Sequence, residues 1–146
     1  MVDLSDILTR VAMAYQPAIE DQAKALRLSI EPDIAVEGDQ ELLAQLFNNL
    51  IENALIHTPA HSLITIGLRR EQDEAIAVVT DNGPGIPAGD RAKVIQRFYR
   101  LERSRALPGS GLGLSLAAAV ARLHHADLAI ADNHPGVAVS IRFAPS

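Results

Sequence analysis

The stretch QLFNNLIENALIHTP, residues 45–59, decides the fold. Its apolar residues continue a pattern that begins at Leu42 and Leu43 and runs through Leu46, Phe47, Leu50, Ile51, Ala54 and Leu55, the recurrence of one helix face. Asp39 supplies a cap ahead of it, and the helix is predicted to stop before Pro59. Beside the apolar face, Gln45, Asn49, Asn53 and His57 fall four residues apart and form a polar stripe. Asn is a mediocre helix former that prefers caps and turns, so two of them inside one helix ask for a reason. One reading is a solvated polar face. The other is a set of neutral amide oxygens that help hold a hard cation such as Mg²⁺, its charge mostly balanced by substrate phosphates.

On the N-terminal side, apolar residues at Leu4, Ile7, Leu8, Val11, Ala14, Tyr15, Ala18 and Ile19 predict a first helix over 4–26, capped by Ser5 or Asp6. Leu26–Ile30 and Ile34–Val36 read as short strands around Pro32. On the C-terminal side, Leu63–Leu68 and Ala75–Thr80 read as a hairpin turned at residues 71–74. A short helix is expected over Asp90–Phe98, a buried Ala-rich helix over Leu112–Leu123, and a last hairpin from Leu128–Ala131 and Val137–Phe143 turned at Asn133-His134-Pro135-Gly136. This order predicts an α+β fold: a two-layer α/β sandwich with a mixed, mostly antiparallel sheet of about five strands, covered on one face by about three helices.

Three further stretches bear chemistry. Asp81-Asn82-Gly83-Pro84-Gly85-Ile86-Pro87 breaks the strand that precedes it. An ionised Asp only accepts hydrogen bonds, so at the bottom of a pocket Asp81 would select an exocyclic amino group, as on adenine, over the carbonyl of guanine. Gly83 and Gly85 would let backbone pass close under a flat ring, although a turn of this composition is also a common way to leave a strand. Gly109-Ser110-Gly111-Leu112-Gly113-Leu114 stands directly ahead of a helix, where free N–H groups make an anion site suited to a di- or triphosphate. It is not a P-loop, which needs Lys-Ser/Thr where Leu114-Ser115 stands, nor a dinucleotide fingerprint, which needs Gly at Leu114 and a strand before the loop. Between the two lies Arg97-Phe98-Tyr99-Arg100, an aromatic pair flanked by arginines that reach phosphate oxygens.

Composition narrows the class. The 146 residues are 48% hydrophobic and 21% charged, which suits one globular domain with one core. With no Cys there is no disulfide framework, thiolate zinc site, iron–sulfur cluster or cysteine nucleophile. Apolar runs such as Leu114–Val120 fall far short of the ~20 residues of a membrane span, and Met1-Val2-Asp3 starts no signal peptide, so a cytoplasmic domain without membrane contact is expected. A net charge of −5 and 3% aromatic residues argue against a nucleic-acid partner. Yet six of the 13 basic residues, Arg91, Lys93, Arg97, Arg100, Arg103 and Arg105, crowd into one segment against only Glu102. That segment reads as a solvated helix face or as the wall of an anion site.

Taken in order, the Asn helix, the Asp-Gly turn, the Phe-Tyr-Arg segment and the Gly loop resemble the N, G1, F and G2 boxes of the catalytic, ATP-binding domain of bacterial sensor histidine kinases. That family shares its Bergerat fold with gyrase, the ninety-kilodalton heat-shock chaperone and the mismatch-repair ATPase. The resemblance runs from Leu4 to Phe143. It implies ATP and Mg²⁺ as ligands, with Asn53 on the metal, Asn49 on phosphate and Asp81 on the adenine amino group. It implies that Gly83, Gly85 and Ile86 shape the adenine pocket, that Gly109, Ser110, Gly111, Leu112 and Gly113 form a flexible ATP lid on the phosphates, and that Tyr99 and His57 line the site. Arg97 or Arg100 would neutralise the γ-phosphate, a catalytic role shared with Asn49.

The hydrolytic relatives carry a Glu base where Asn49 stands, and Glu52 projects roughly 100° away from Asn53. Transfer to a protein nucleophile is therefore expected over hydrolysis. The sequence departs from the family at Ile56, where Lys or Arg is frequent, at His57 for Tyr, at Pro108 for the Gly before Gly109, and at His125-Ala126-Asp127 for His-Gly-Gly; His57 is equally readable as a half-buried pocket wall. None of the five histidines sits in the family's phosphoacceptor motif. The expected reading is a single catalytic domain over 1–146 of a longer two-component sensor kinase, which leaves an inner-membrane anchor elsewhere open. Its partners would be a separate dimerisation and phosphoacceptor histidine domain and a downstream response regulator. Two alternatives stay open: an anti-sigma-factor-type serine kinase, and an ATP-binding regulatory module without catalysis.

Overall fold

A computed structural model describes residues 1–56, 58–82, 113–132 and 136–144. Two short strands, β1 (Val2–Asp3) and β3 (Ala35–Val36), pair antiparallel and stand apart from the main sheet. Between them lie helix α1 (Leu4–Asp21) and strand β2 (Ala25–Ile30). Because Asp3 ends β1, it caps α1: its carboxylate accepts from the Asp6 N–H at 3.0 Å, so the cap is Asp3 and not Ser5 or Asp6. Ser5 is instead buried, donating to the Glu31 carbonyl at 2.6 Å and accepting from the Ile34 N–H at 2.9 Å.

α1 ends at Asp21 and not at Leu26. The chain reverses through Ala23, which takes the left-handed φ of 58°, and its next segment pairs with the sheet. Helix α2 (Gln40–Ile56) begins behind the Asp39 side chain, which accepts from the Leu42 N–H at 3.0 Å as the sequence predicts. It buries Leu43, Leu46, Phe47, Leu50, Ile51, Ala54 and Leu55. Strands β4 (Leu63–Glu71) and β5 (Glu74–Asp81) form the first hairpin. Helix α3 (Gly113–Leu123) precedes β6 (Ala126–Asp132) and β7 (Val137–Phe143), the second.

The main sheet runs β2-β4-β5-β7-β6, parallel only between β2 and β4 and antiparallel elsewhere. Its strands alternate as half-buried sheets do: Ile64, Ile66 and Leu68 on β4, and Val137, Val139, Ile141 and Phe143 on β7, join the helix residues in one core. The result is the expected two-layer sandwich, with α1 and α3 packed on either side of α2. The expected helix over residues 90–98 and the ATP lid lie outside the described residues.

Candidate nucleotide site

Helix α2 carries the polar stripe along a flank of its buried face. Gln45 is exposed, while Asn49 and Asn53, one turn apart, are half-buried. The Asn49 Nδ2 is fully enclosed and has no hydrogen-bond partner among the described residues. Leaving a buried donor unpaired costs about 1–3 kcal/mol, so such a group is kept in a fold when something else needs it. An N–H donor waiting for an acceptor suits an anionic oxygen. Glu52, next to Asn53 in the chain, faces the other way: its Oε2 lies 3.4 Å from the Tyr15 hydroxyl of α1. Burial, followed by the charge and hydrogen bond of Glu52, pushes the Tyr15 phenol above its usual range.

Both ends of α2 receive side chains from the elements around it, and the far end also a local one. At its start the Asp39 N–H donates to His124 Nε2 at 3.1 Å, and His124 Nδ1 lies 2.8 Å from the Val120 carbonyl. The ring therefore donates from Nδ1 and accepts at Nε2, tying the end of α3 to the start of α2. At its finish the Thr58 hydroxyl donates to the Ala54 carbonyl at 2.8 Å, and the Lys24 ammonium donates to the Leu55 carbonyl and to Gln22 Oε1. A cation at a helix C-terminus is favourable, but burial of Lys24 holds its amine below the ordinary lysine range. The last turn of the Asn helix is thus anchored to the turn that follows α1.

Asp81 closes β5, only 8% exposed. By the alternation that buries Ala75, Ala77 and Val79, its side chain lies on the helix-covered face of the sheet, in the same layer as α2. Its Oδ1 accepts from the Val137 N–H at 3.3 Å, and the neighbouring Asn82 Oδ1 accepts from the Leu63 N–H at 2.7 Å. A buried carboxylate at a strand end, with backbone pinned on both sides, is a rigid acceptor. Gly113 opens α3, which packs against α2. His57, Gly83, Gly85, Ile86, Arg97, Tyr99, Arg100, Gly109, Ser110, Gly111 and Leu112 lie outside the described residues.

Sequence reasoning missed Lys24, His124 and Gly136. Each acts through a long-range backbone contact, for which sequence spacing carries no signal. The family's Gly-Gly after the last helix is replaced without disturbing the strand: His125 takes the left-handed turn at φ 56°, and Ala126 and Asp127 pair regularly in β6.

The geometry agrees with known proteins. Residues 38–146 match the family model described as histidine kinase-, DNA gyrase B- and HSP90-like ATPase. The adaptive-response sensory kinase SasA of Synechocystis is 33% identical over 142 residues, covering 96% of this chain and 37% of that protein. The signal transduction histidine-protein kinase BaeS of Escherichia coli is 34% identical over 142 residues, covering 96% of this chain and 30% of its own. The chain thus spans about a third of these relatives. Among solved structures, the mycobacterial sensor histidine kinase MprB superposes with a TM-score of 0.83 at 29% identity, covering 99% of this chain and 97% of that one. The catalytic domain of histidine kinase ThkA, at TM-score 0.87 and 21% identity over 99% and 97%, shows the same fold. No helix among the described residues is long and apolar enough to cross a membrane. With fold, Asn helix and family model in agreement, this chain belongs to the histidine kinase-, DNA gyrase B- and HSP90-like ATPases, as an ATP-binding domain of the sensor histidine kinase type.

Proposed function

We propose that this chain binds Mg–ATP and transfers the γ-phosphoryl group to a histidine on a separate dimerisation and phosphoacceptor domain, in two-component signalling with a downstream response regulator. The observation that carries the reading is the enclosed, unpartnered Asn49 Nδ2, one helical turn from Asn53 on the flank of α2. In this reading Asn49 donates to a phosphate oxygen and the Asn53 carboxamide oxygen takes one position on the metal. Among the described residues no group of three or more His, Asp or Glu is arranged to hold a metal ion, and a neutral amide ligand fits Mg²⁺ when substrate phosphates supply the charge. The metal, when bound, would neutralise charge on the transferring group. Asp81 accepts from the adenine amino group, Gly83, Gly85 and Ile86 shape the pocket, and His57 and Tyr99 line it. Gly109, Ser110, Gly111, Leu112 and Gly113 bind phosphate as the lid, with Arg97 or Arg100 on the γ-phosphate.

Transfer is favoured over hydrolysis because Glu52 is engaged with Tyr15, leaving Asn49 where a water-activating carboxylate would have to stand. An imidazole nitrogen of the acceptor forms the P–N bond as the bond to the β,γ-bridging oxygen breaks and ADP leaves. The test mixes the chain with γ-labelled ATP and a separate histidine acceptor-helix domain. Acid-labile, base-stable label on the acceptor is expected. Acid-stable label would point instead to serine transfer, and ATP binding without label on any acceptor to a regulatory module.

A further inference from the structure

The β5–β7 ladder ends at the Thr80–Ala138 pair. The next N–H along β7, that of Val137, does not continue the ladder; it donates to Asp81 Oδ1 at 3.3 Å in a buried setting. The residue that lets β7 begin there is Gly136. Its φ of +107° is one that L side chains rarely adopt. A Cβ at this position would lie 1.9 Å from the Asp81 carbonyl oxygen, 2.6 Å from its carbonyl carbon and 2.8 Å from the Asn82 Cα. All three are backbone atoms of the chain that carries the carboxylate, so no side-chain rotation relieves the clash. From the other side the Asn82 side chain ties that same backbone to the first residue of β4 at 2.7 Å. Asp81 is therefore clamped, its main chain between Gly136 and the β4 start, its carboxylate by the Val137 amide.

We propose that Gly136 and the Val137 amide are positioning elements for the Asp81 carboxylate and so set the preference of the site for a 6-amino over a 6-oxo purine. The proposal rests on the reading of Asp81 as the acceptor for the adenine amino group. A carboxylate discriminates an N–H donor from a carbonyl only if it cannot swing aside. With one oxygen held by a main-chain N–H, rotation away from a mismatched 6-oxo group would break that bond, so the mismatch is felt in full. Without that bond the carboxylate is held less firmly in its orientation, and a guanine base is tolerated better.

The test removes the N–H alone. Val137 lies near the C-terminus, and the chain has no Cys, so ligation at Ala131 through a temporary Cys, followed by desulfurisation, can install the α-hydroxy acid in place of Val137 and exchange one amide for an ester. ATP and GTP affinities are measured by calorimetry on the 146-residue chain, on this ester, on Gly136→Ala and on Asp81→Asn, with thermal melts alongside. The wild type is expected to prefer ATP. The ester should keep its fold and lose on the order of tenfold of that preference, which is about 1.4 kcal/mol. The ester should add little further loss in the Asp81→Asn background, because the bond it removes acts only through that carboxylate. Gly136→Ala, where it folds, should lose more than the ester. An ester with a lowered melting temperature and an unchanged ATP:GTP ratio overturns the proposal and leaves the contact structural. A wild type that binds neither nucleotide, or both equally, overturns the reading of the site beneath it, and the proposal with it.

Discussion

α1 and α2 are helices of 18 and 17 residues, packed against each other and built on the same apolar periodicity, yet they treat their polar side chains in opposite ways. Apart from the buried Ser5 and the half-buried Tyr15, α1 pairs polar groups along its own length: Asp6 with Arg10 at 2.9 Å, Gln16 with Glu20 at 3.1 Å. Such exposed pairs contribute a few tenths of a kcal/mol each and ask nothing of the rest of the molecule. On α2 three amides, Asn48, Asn49 and Asn53, are drawn half out of solvent, and that of Asn49 keeps an enclosed N–H without a partner among the described residues. α1 is a scaffold whose polar residues serve the helix. α2 carries polar residues that weaken the helix, and both of its ends are braced by groups from elsewhere, Lys24 at one end and His124 at the other. A buried group that costs stability, on an element held rigid by its neighbours, marks binding rather than folding.

The widest gap between the helices is expected at Asn53. Asn53→Ala should abolish Mg²⁺-dependent ATP binding while leaving the melting transition close to wild type, whereas Gln16→Ala on α1 should change neither. Unchanged ATP affinity in calorimetry for Asn53→Ala would refute its metal role. Asn49→Leu should separate stability from function: removing an unpaired buried donor raises unfolding free energy by about 1–3 kcal/mol, while ATP binding weakens. A variant that is less stable and binds ATP normally would make Asn49 an ordinary core residue, and α2 would then differ from α1 in degree only.

How much of this was legible beforehand follows from how local each feature is. The apolar face of α2 and its Asn stripe depend on spacing within one helix, and both stand where the sequence put them. The end of α1 was misread because Gln22, Ala23 and Lys24 contain no Gly or Pro. The helix is closed by a left-handed residue that is not Gly: with Ala23 at φ 58° the Lys24 N–H donates back to the Ile19 carbonyl at 3.0 Å, and the Ala25 N–H then donates to the Ser62 carbonyl at 3.0 Å, drawing the chain into β2. The sequence reads Ile34–Val36 as a short strand, and the strand found there pairs with the chain start, a partner that spacing could not name. The site divides in the same way. Asp81 was legible as a carboxylate at a strand end, but the Gly136 contact that clamps it comes from the entry to β7, adjacent in the sheet yet far along the chain, where Asn-His-Pro-Gly reads only as a turn.

Lys24 offers a smaller effect, read as a function of pH. Burial lowers its folded-state value below the ordinary 10.5, so the unfolded chain binds more protons over the window between the two, and stability attributable to this group rises with pH there. Urea unfolding of wild type and Lys24→Met should show the wild type gaining on the variant as pH climbs towards 10.5. A flat difference would mean the ammonium reaches water, and the C-terminal brace of α2 would be no more than a surface contact.

The smallest expected effect lies at the seam between the two helices. Tyr15 is raised above 10.0 by burial first and by Glu52 second, so its folded form holds its proton after the unfolded form has released it. The stability it contributes is complete below pH 10 and is lost as pH rises through the folded value, the reverse of Lys24. Wild type should therefore lose stability relative to Tyr15→Phe above pH 10, measured by denaturant unfolding at about pH 9 to 11. Glu52→Gln should narrow that loss without removing it, since burial is the larger cause. If Glu52→Gln leaves the loss unchanged, the carboxylate does not face α1. It would then be available to the Asn stripe as a base for water, and the argument for phosphoryl transfer over hydrolysis would lose its structural support.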